Sequence, residues 1–170
     1  MKSSLNILTS FLLGILLQVL VLNNVQLFGF MVPYYYPVII LALPATMNQH
    51  YVLILAALTG FVVDIFEHTG ALHASATLIM AYLRPVILRL ISTQSGRELP
   101  ELSLKALGAK NFLLFSTIGV LVHHFSLFFV DALRLSNIDI TIMRSLYSTL
   151  LSVVVIFLVH GLLTPLKKNV

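Results

Sequence analysis

Residues 59–85 read TGFVVDIFEHTGALHASATLIMAYLRP and gather Asp64, Glu67, His68 and His73 between two apolar runs, with Arg84 and Pro85 at the far end. A carboxylate in apolar surroundings must be solvated, paired or put to use, because its desolvation is costly. Carboxylate and imidazole together form the donor set of zinc sites and of proton relays. Asp64, Glu67 and His68 can share a helix face, yet the chain has no HExxH, no cysteine and no second such cluster to close a metal site. No metal and no cofactor is therefore expected. His123 and His124 in a later apolar run, and His160 in the last one, can line a cavity or bond across helices; packing histidines satisfied by their neighbours are the plainer reading. Serines are plentiful, but no G-x-S-x-G or S-x-x-K accompanies a base, and no glycine-rich phosphate loop is present. The convergent nucleophile, base and oxyanion donors of an intramembrane enzyme do not emerge, so no catalytic residue is expected.

The elements that must carry these residues follow from composition. Of the 170 residues, 59% are hydrophobic and 9% charged, and the mean hydropathy is +1.02, which points to an all-α integral membrane protein. Ten Lys and Arg outweigh six Asp and Glu, but they lie in connections between apolar runs, where they mark the cytoplasmic side rather than a nucleic-acid surface. The absence of cysteine excludes disulfides, thiolate zinc sites and iron–sulfur ligation. A bilayer core needs roughly 20 helical residues, and six runs approach that length: 5–22, 33–47, 51–66, 70–91, 112–130 and 142–163. The second is short and contains Pro37 and Pro44. With both termini inside, Lys2, Arg84, Arg89, Arg97, Lys105, Lys110, Lys167 and Lys168 face the cytoplasm and only Arg134 and Arg144 face outward. The first run resembles a signal peptide but lacks a pair of small residues before a cleavage point near Asn23, so an uncleaved helix is expected.

The connections carry further expectations. The cytoplasmic loop 92–111 contains PELSLKALG, a short helix with Pro100 in its first turn, Glu98 and Glu101 near its positive end and Gly108 as its stop, lying on the inner leaflet by a face of Leu99, Leu102 and Leu107. Tyr34, Tyr35 and Tyr36 read as an interfacial aromatic belt. Small residues four apart, Ser10 with Gly14, Ala56 with Gly60, Gly70 with Ala74 and Ala71 with Ser75, suit close helix packing, and Gln18 suits an interhelical hydrogen bond. Arg144 can reach Asp131 or the headgroups. Pro85 should kink or end its helix, and Arg84 should snorkel to the inner headgroups.

A family resemblance lies in the same stretch. Gly60, Phe61, Asp64, Ile65 and Phe66, then His73 and Ala74, and finally Ala81, Tyr82, Leu83, Arg84 and Pro85 resemble the third and fourth helices of the MreD family, small membrane proteins of the bacterial rod-shape system. Pro37 matches a proline that the family favours in its second span. The family often has a glycine two residues before the histidine, where this chain has Ala71 with Gly70 beside it. The resemblance implies a six-helix fold similar to the substrate-binding components of energy-coupling-factor transporters, in the bacterial cytoplasmic membrane. It implies a non-enzymatic scaffold that binds MreC and, through it, MreB, RodA and a class B penicillin-binding protein; a homodimer is compatible with it. On that reading Pro37, Gly60, Asp64, Gly70, His73, Arg84 and Pro85 form a partner-binding or structural motif. The alternative is a vitamin-binding component of such a transporter, docking through Ser10 and Gly14, although the outer loops lack a convincing set of ligand-fixing polar groups.

Because the chain has no cysteine, its topology is directly testable. Single cysteines placed at Asn24 and at Ser136 should be labelled by an impermeant maleimide from outside the cell; labelling only from the cytoplasmic side would overturn the six-span arrangement.

Overall fold

The computed structural model describes residues 4–95, 102–132 and 138–163. All regular structure among them is helical: α1 (Ser4–Leu20), α2 (Tyr36–Leu41), α3 (Gln49–Glu67), α4 (Leu72–Ser95), α5 (Leu104–Ala132) and α6 (Ile138–Leu163), with a 3-10 turn at Leu22–Asn24. Four of these helices are long and apolar enough to cross a membrane, namely α3, α4, α5 and α6. The distribution of side chains is that of a membrane protein. Leu13 and Leu150 are 67% and 64% exposed while Arg84 is 2% exposed and Gln18, His123 and Ser152 are fully buried. Water would drive the opposite sorting, whereas lipid tolerates leucine outside and forces polar groups to find partners inside.

Successive long helices run antiparallel. Gln49 at the start of α3 bonds to Ala81 of α4, Arg144 near the start of α6 pairs with Asp131 near the end of α5, and His160 near the end of α6 packs on Phe112 of α5 with ring centroids 4.9 Å apart. The α3–α4 turn therefore marks one end of the bundle, here called the hairpin end. Asn48 starts α3 by accepting the His50 amide at 2.9 Å, and His68 closes it in the left-handed region at φ 56°.

The segment expected as a second span, 33–47, is helical only in part and is not among the helices long and apolar enough to cross a membrane. The chain stays irregular to Tyr35 and then forms a helix of six residues, all buried. Pro37 sits in its first turn, where a missing amide hydrogen costs nothing. Pro44 cannot donate to Ile40 and disfavours helix at the residue before it, so α2 stops at Leu41. Gly119 of α5 lets it approach: a Cβ there would stand 2.5 Å from Leu41 Cδ1 and 2.8 Å from Leu41 Cδ2. Tyr34, Tyr35 and Tyr36, expected as an interfacial belt, are 3%, 7% and 0% exposed and belong to the core.

A helix end inside a membrane protein leaves backbone groups that water cannot serve. Side chains from three neighbours serve them. Ser148 and Ser152 of α6 accept the amides of Val32 and Tyr34 at 3.2 and 2.8 Å. Gln18 of α1 accepts the amides of Tyr35 and Tyr36 at 2.7 and 3.4 Å and donates to the Pro33 carbonyl at 3.3 Å. At the other end, Arg84 of α4 donates to the carbonyls of Leu41 (3.2 Å), Leu43 and Pro44 (3.3 Å). The expectation that Arg84 reaches the headgroups is thus overturned, because these carbonyls have a stronger need of its donors than the headgroups do.

Pro85 does not end α4, which continues to Ser95. Its missing amide frees the Ala81 carbonyl one turn back, and the Gln49 side chain donates to that oxygen at 2.8 Å. At the start of α5, Leu102 and Leu107 are buried in the core and Gly108, at φ 75° and ψ 161°, breaks the helix. The expected first turn of a separate short helix at Glu98, Leu99, Pro100 and Glu101 lies outside the described residues, as do Lys2, Arg97, Arg134, Ser136, Lys167 and Lys168.

Arg84→Met keeps bulk but removes every donor from the end of α2. It should lower the unfolding free energy in mild detergent by about 2–4 kcal/mol, as expected for buried carbonyls stripped of partners. Unfolding curves identical to those of the parent would show that Arg84 does not hold α2.

Candidate functional site

Asp64 finds its partners at the start of the next helix. The turn between α3 and α4 passes through three residues with positive φ, His68 at 56°, Gly70 at 58° and Ala71 at 75°. Such a turn brings the first amides of α4 back toward α3, and Ala71 has no side-chain acceptor to cap them. Asp64 does it from one helix away. One carboxylate oxygen accepts from the Thr69 hydroxyl at 2.6 Å and the His73 amide at 2.9 Å, and the other accepts from the Ala74 amide at 2.9 Å. A carboxylate at the positive end of a helix, with both oxygens occupied by donors, recovers much of its lost hydration. Gly60, one turn before Asp64, makes the approach possible. A Cβ at Gly60 would stand 2.5 Å from the His73 carbonyl oxygen and 2.6 Å from the Ala74 nitrogen, closer than any side chain tolerates.

From this hairpin a chain of polar groups enters the core. His73 Nε2 lies 3.3 Å from Glu67 Oε2, His73 Nδ1 lies 3.0 Å from the Tyr36 hydroxyl, and the Tyr36 hydroxyl lies 2.5 Å from His123 Nε2. With Glu67 ionised and His73 neutral, His73 Nε2 carries the hydrogen and Nδ1 is an acceptor. Tyr36 then donates to His73, and its oxygen accepts from His123 Nε2. All hydrogens point toward Glu67, and His123 is left with a lone pair on Nδ1, an atom without a partner. Thr77 donates to the His73 carbonyl at 2.6 Å. Tyr34 places its ring 5.0 Å from that of His73 and its hydroxyl 3.5 Å from Glu67 Oε2. His124 stands apart from this chain: its Nδ1 donates to the Val120 carbonyl at 2.9 Å, and Ser152 lies 3.5 Å from its Nε2.

The motif residues therefore fall into two groups. Gly60, Asp64, Gly70 and His73 meet at the hairpin, whereas Arg84 and Pro85 lie three turns along α4 and Pro37 lies in α2. His73, Thr77, Met80, Arg84, Ile87 and Ile91 are all buried and follow the period of one helix face. That face meets α2 through His73 at its start and Arg84 at its end. Sequence reasoning missed Tyr36 and His123 as a bonded pair. The available signal was a tyrosine beside a helix-starting proline in a run too short to span, together with histidines in apolar helices that needed donors. Among the described residues no three His, Asp or Glu are grouped so as to hold a metal ion.

Two substitutions in the turn should act in opposite directions. Asp64→Ala leaves two helix-start amides and a hydroxyl without an acceptor and should destabilise by about 2–4 kcal/mol, whereas Ala71→Gly relieves positive-φ strain and should stabilise by up to about 1 kcal/mol. Thermal unfolding in detergent measures both, and an Ala71→Gly protein that melts earlier would contradict this turn geometry. Comparison of the chain with family models, with curated proteins and with solved structures returned no match.

Proposed function

We propose that the protein is a non-enzymatic membrane scaffold of the MreD type, which crosses the bacterial cytoplasmic membrane six times with both termini inside and binds MreC. The observation that carries this reading is the use made of the resembling residues. Gly60 and Asp64 fasten the α3–α4 hairpin, and Arg84 and Pro85 seat α2 and join α3 to α4. These residues build a rigid shape and are occupied in doing so. A rigid shape is what a scaffold contributes, since a partner helix in lipid is recognised by fit and not by hydrophobic burial.

The surface that would meet such a helix adjoins the motif. Tyr51, Ile54, Leu58, Phe61 and Ile65 of α3 are more than half exposed and follow one another at helical spacing, giving a continuous apolar stripe on the outer face of the hairpin. A single-span partner such as MreC would pack along it and connect the protein to MreB, RodA and the class B penicillin-binding protein. The alternative of a vitamin-binding transporter component is weaker. The centre of the bundle is taken up by α2, and the polar groups there are largely engaged with one another.

Affinity purification of the tagged protein from its native membrane in mild detergent, followed by mass spectrometry, tests the reading. MreC with cell-wall elongation proteins is the expected recovery, reduced at least several-fold by Leu58→Trp on the exposed stripe. Recovery of an ATPase pair with its coupling membrane subunit would overturn the scaffold reading in favour of transport.

A further inference from the structure

Glu67 is the one member of the buried chain that reaches the surface, with a side chain 20% exposed. Its Oε2 is held by His73 at 3.3 Å and by the Tyr34 hydroxyl at 3.5 Å, whereas its Oε1 is buried without a hydrogen-bond partner. An ionised carboxylate offers about four acceptor positions; Oε1 is covered by protein, so Glu67 acts on its surroundings through its charge. With His73 neutral, its negative charge has no counter-charge, since among the described residues no lysine or arginine pairs with it. The nearby acid Asp64 is occupied by helix-start donors, and Arg144 is paired with Asp131.

Glu67 lines a cleft of about 340 Å3 at the hairpin end together with Val19, Asn23, Asn24 and Phe66. The two amides have a defined orientation. Asn24 donates through Nδ2 to the Leu20 carbonyl at 3.2 Å, which leaves its Oδ1 as an acceptor. Asn23 Oδ1 accepts one hydrogen bond from Gln18 at 2.8 Å and retains a second lone pair. The polar wall thus combines a carboxylate with two amide oxygens, and Val19 and Phe66 supply an apolar rim. Phe66 is 57% exposed, and Leu16, Leu20 and Ile65 on the same two helices are also at least half exposed.

We infer that this cleft binds a primary ammonium group carried by a membrane lipid, with Glu67 as its counter-charge and Asn23 and Asn24 as its additional acceptors. A primary ammonium has a positive charge and three hydrogens to give, matching a wall of one carboxylate and two amide oxygens. A trimethylated ammonium has no hydrogen to give and is recognised by aromatic cages. A metal ion would require more ligating side chains than are gathered here. The apolar rim favours a headgroup whose acyl chains continue along Val19 and Phe66 into the bilayer over a free amine in solution.

Native mass spectrometry of the full chain tests the site, after extraction from mixed bilayers holding equal amounts of phosphatidylethanolamine and phosphatidylcholine with matched acyl chains. Ethanolamine lipid should be retained at least fivefold over choline lipid, and Glu67→Gln should erase that preference. Asn24→Leu, at an exposed position that can be replaced without breaking a contact between helices, should reduce the preference at least twofold and guards against loss of fold in the Glu67 variant. Equal retention of the two lipids, or an undiminished preference in both variants, would overturn the inference. Displacement of the bound lipid by millimolar ethanolamine would overturn the assignment to a lipid.

Discussion

The need to satisfy the backbone of a short helix buried in the middle of a membrane protein governs much of this structure. A bundle of through-going helices supplies its own hydrogen bonds, but α2 begins and ends inside, where an unpaired amide or carbonyl cannot turn to water. The residues that are hardest to explain in an apolar chain then have a common purpose. Gln18, Ser148, Ser152 and Arg84 sit on three different helices, and all bond to the backbone of one six-residue helix or of the irregular chain leading into it. A hydrophobic residue at any of these positions would suit the surrounding packing better and leave the irregular backbone unserved.

The same constraint explains the small residues. Apolar side chains gain little by leaving lipid for a lipid-like interior, so helices associate here through close contact and hydrogen bonds. Gly60 lets α3 approach the backbone of α4 closely enough for Asp64 to reach two amides. Gly119 lets Leu41 lie against α5, which brings Tyr36 within bonding distance of His123. Small residues and polar residues are therefore coupled: the glycine makes the distance short, and the polar group turns the short distance into a specific bond.

What could be read from the sequence divides along local and non-local lines. The α3 and α4 helices and the tight turn between them were legible because hydropathy, turn residues and helix period are local properties, whereas Asp64 was legible only as a carboxylate that had to be solvated, paired or used, and not as a buried one. The ion pair between Arg144 and Asp131 was legible as one of two options. The fate of the tyrosines was not, since three tyrosines beside a proline fit a membrane boundary as well as a core, and what decides is the position of Gln18, His73 and His123 in other helices. Arg84 was misread for a similar reason. Its position at the inner end of an apolar run suggested headgroups, but the exposed carbonyls that attract it arise only because Pro44 stops α2 at Leu41. Pro85 and Gln49 show the same dependence on a distant partner, one freeing a carbonyl and the other occupying it.

These contacts combine into a single positioning device along α4. Asp64 holds the amides of His73 and Ala74, and Gln49 holds the carbonyl of Ala81, so α4 is fixed along its axis at two points relative to α3. His73 and Arg84 are eleven residues apart, close to three helical turns, or about 16 Å, and so project from one face. One of them meets the start of α2 and the other its end. A slide of α4 by a single residue would turn both away from α2 by about 100°, leaving Tyr36 without His73 and the carbonyls of α2 without Arg84. An acid at the hairpin thus determines whether an arginine three turns away can do its work. A motif scattered from Gly60 to Pro85 is in that sense one structural unit, whose parts act on a helix that lies outside it in the sequence.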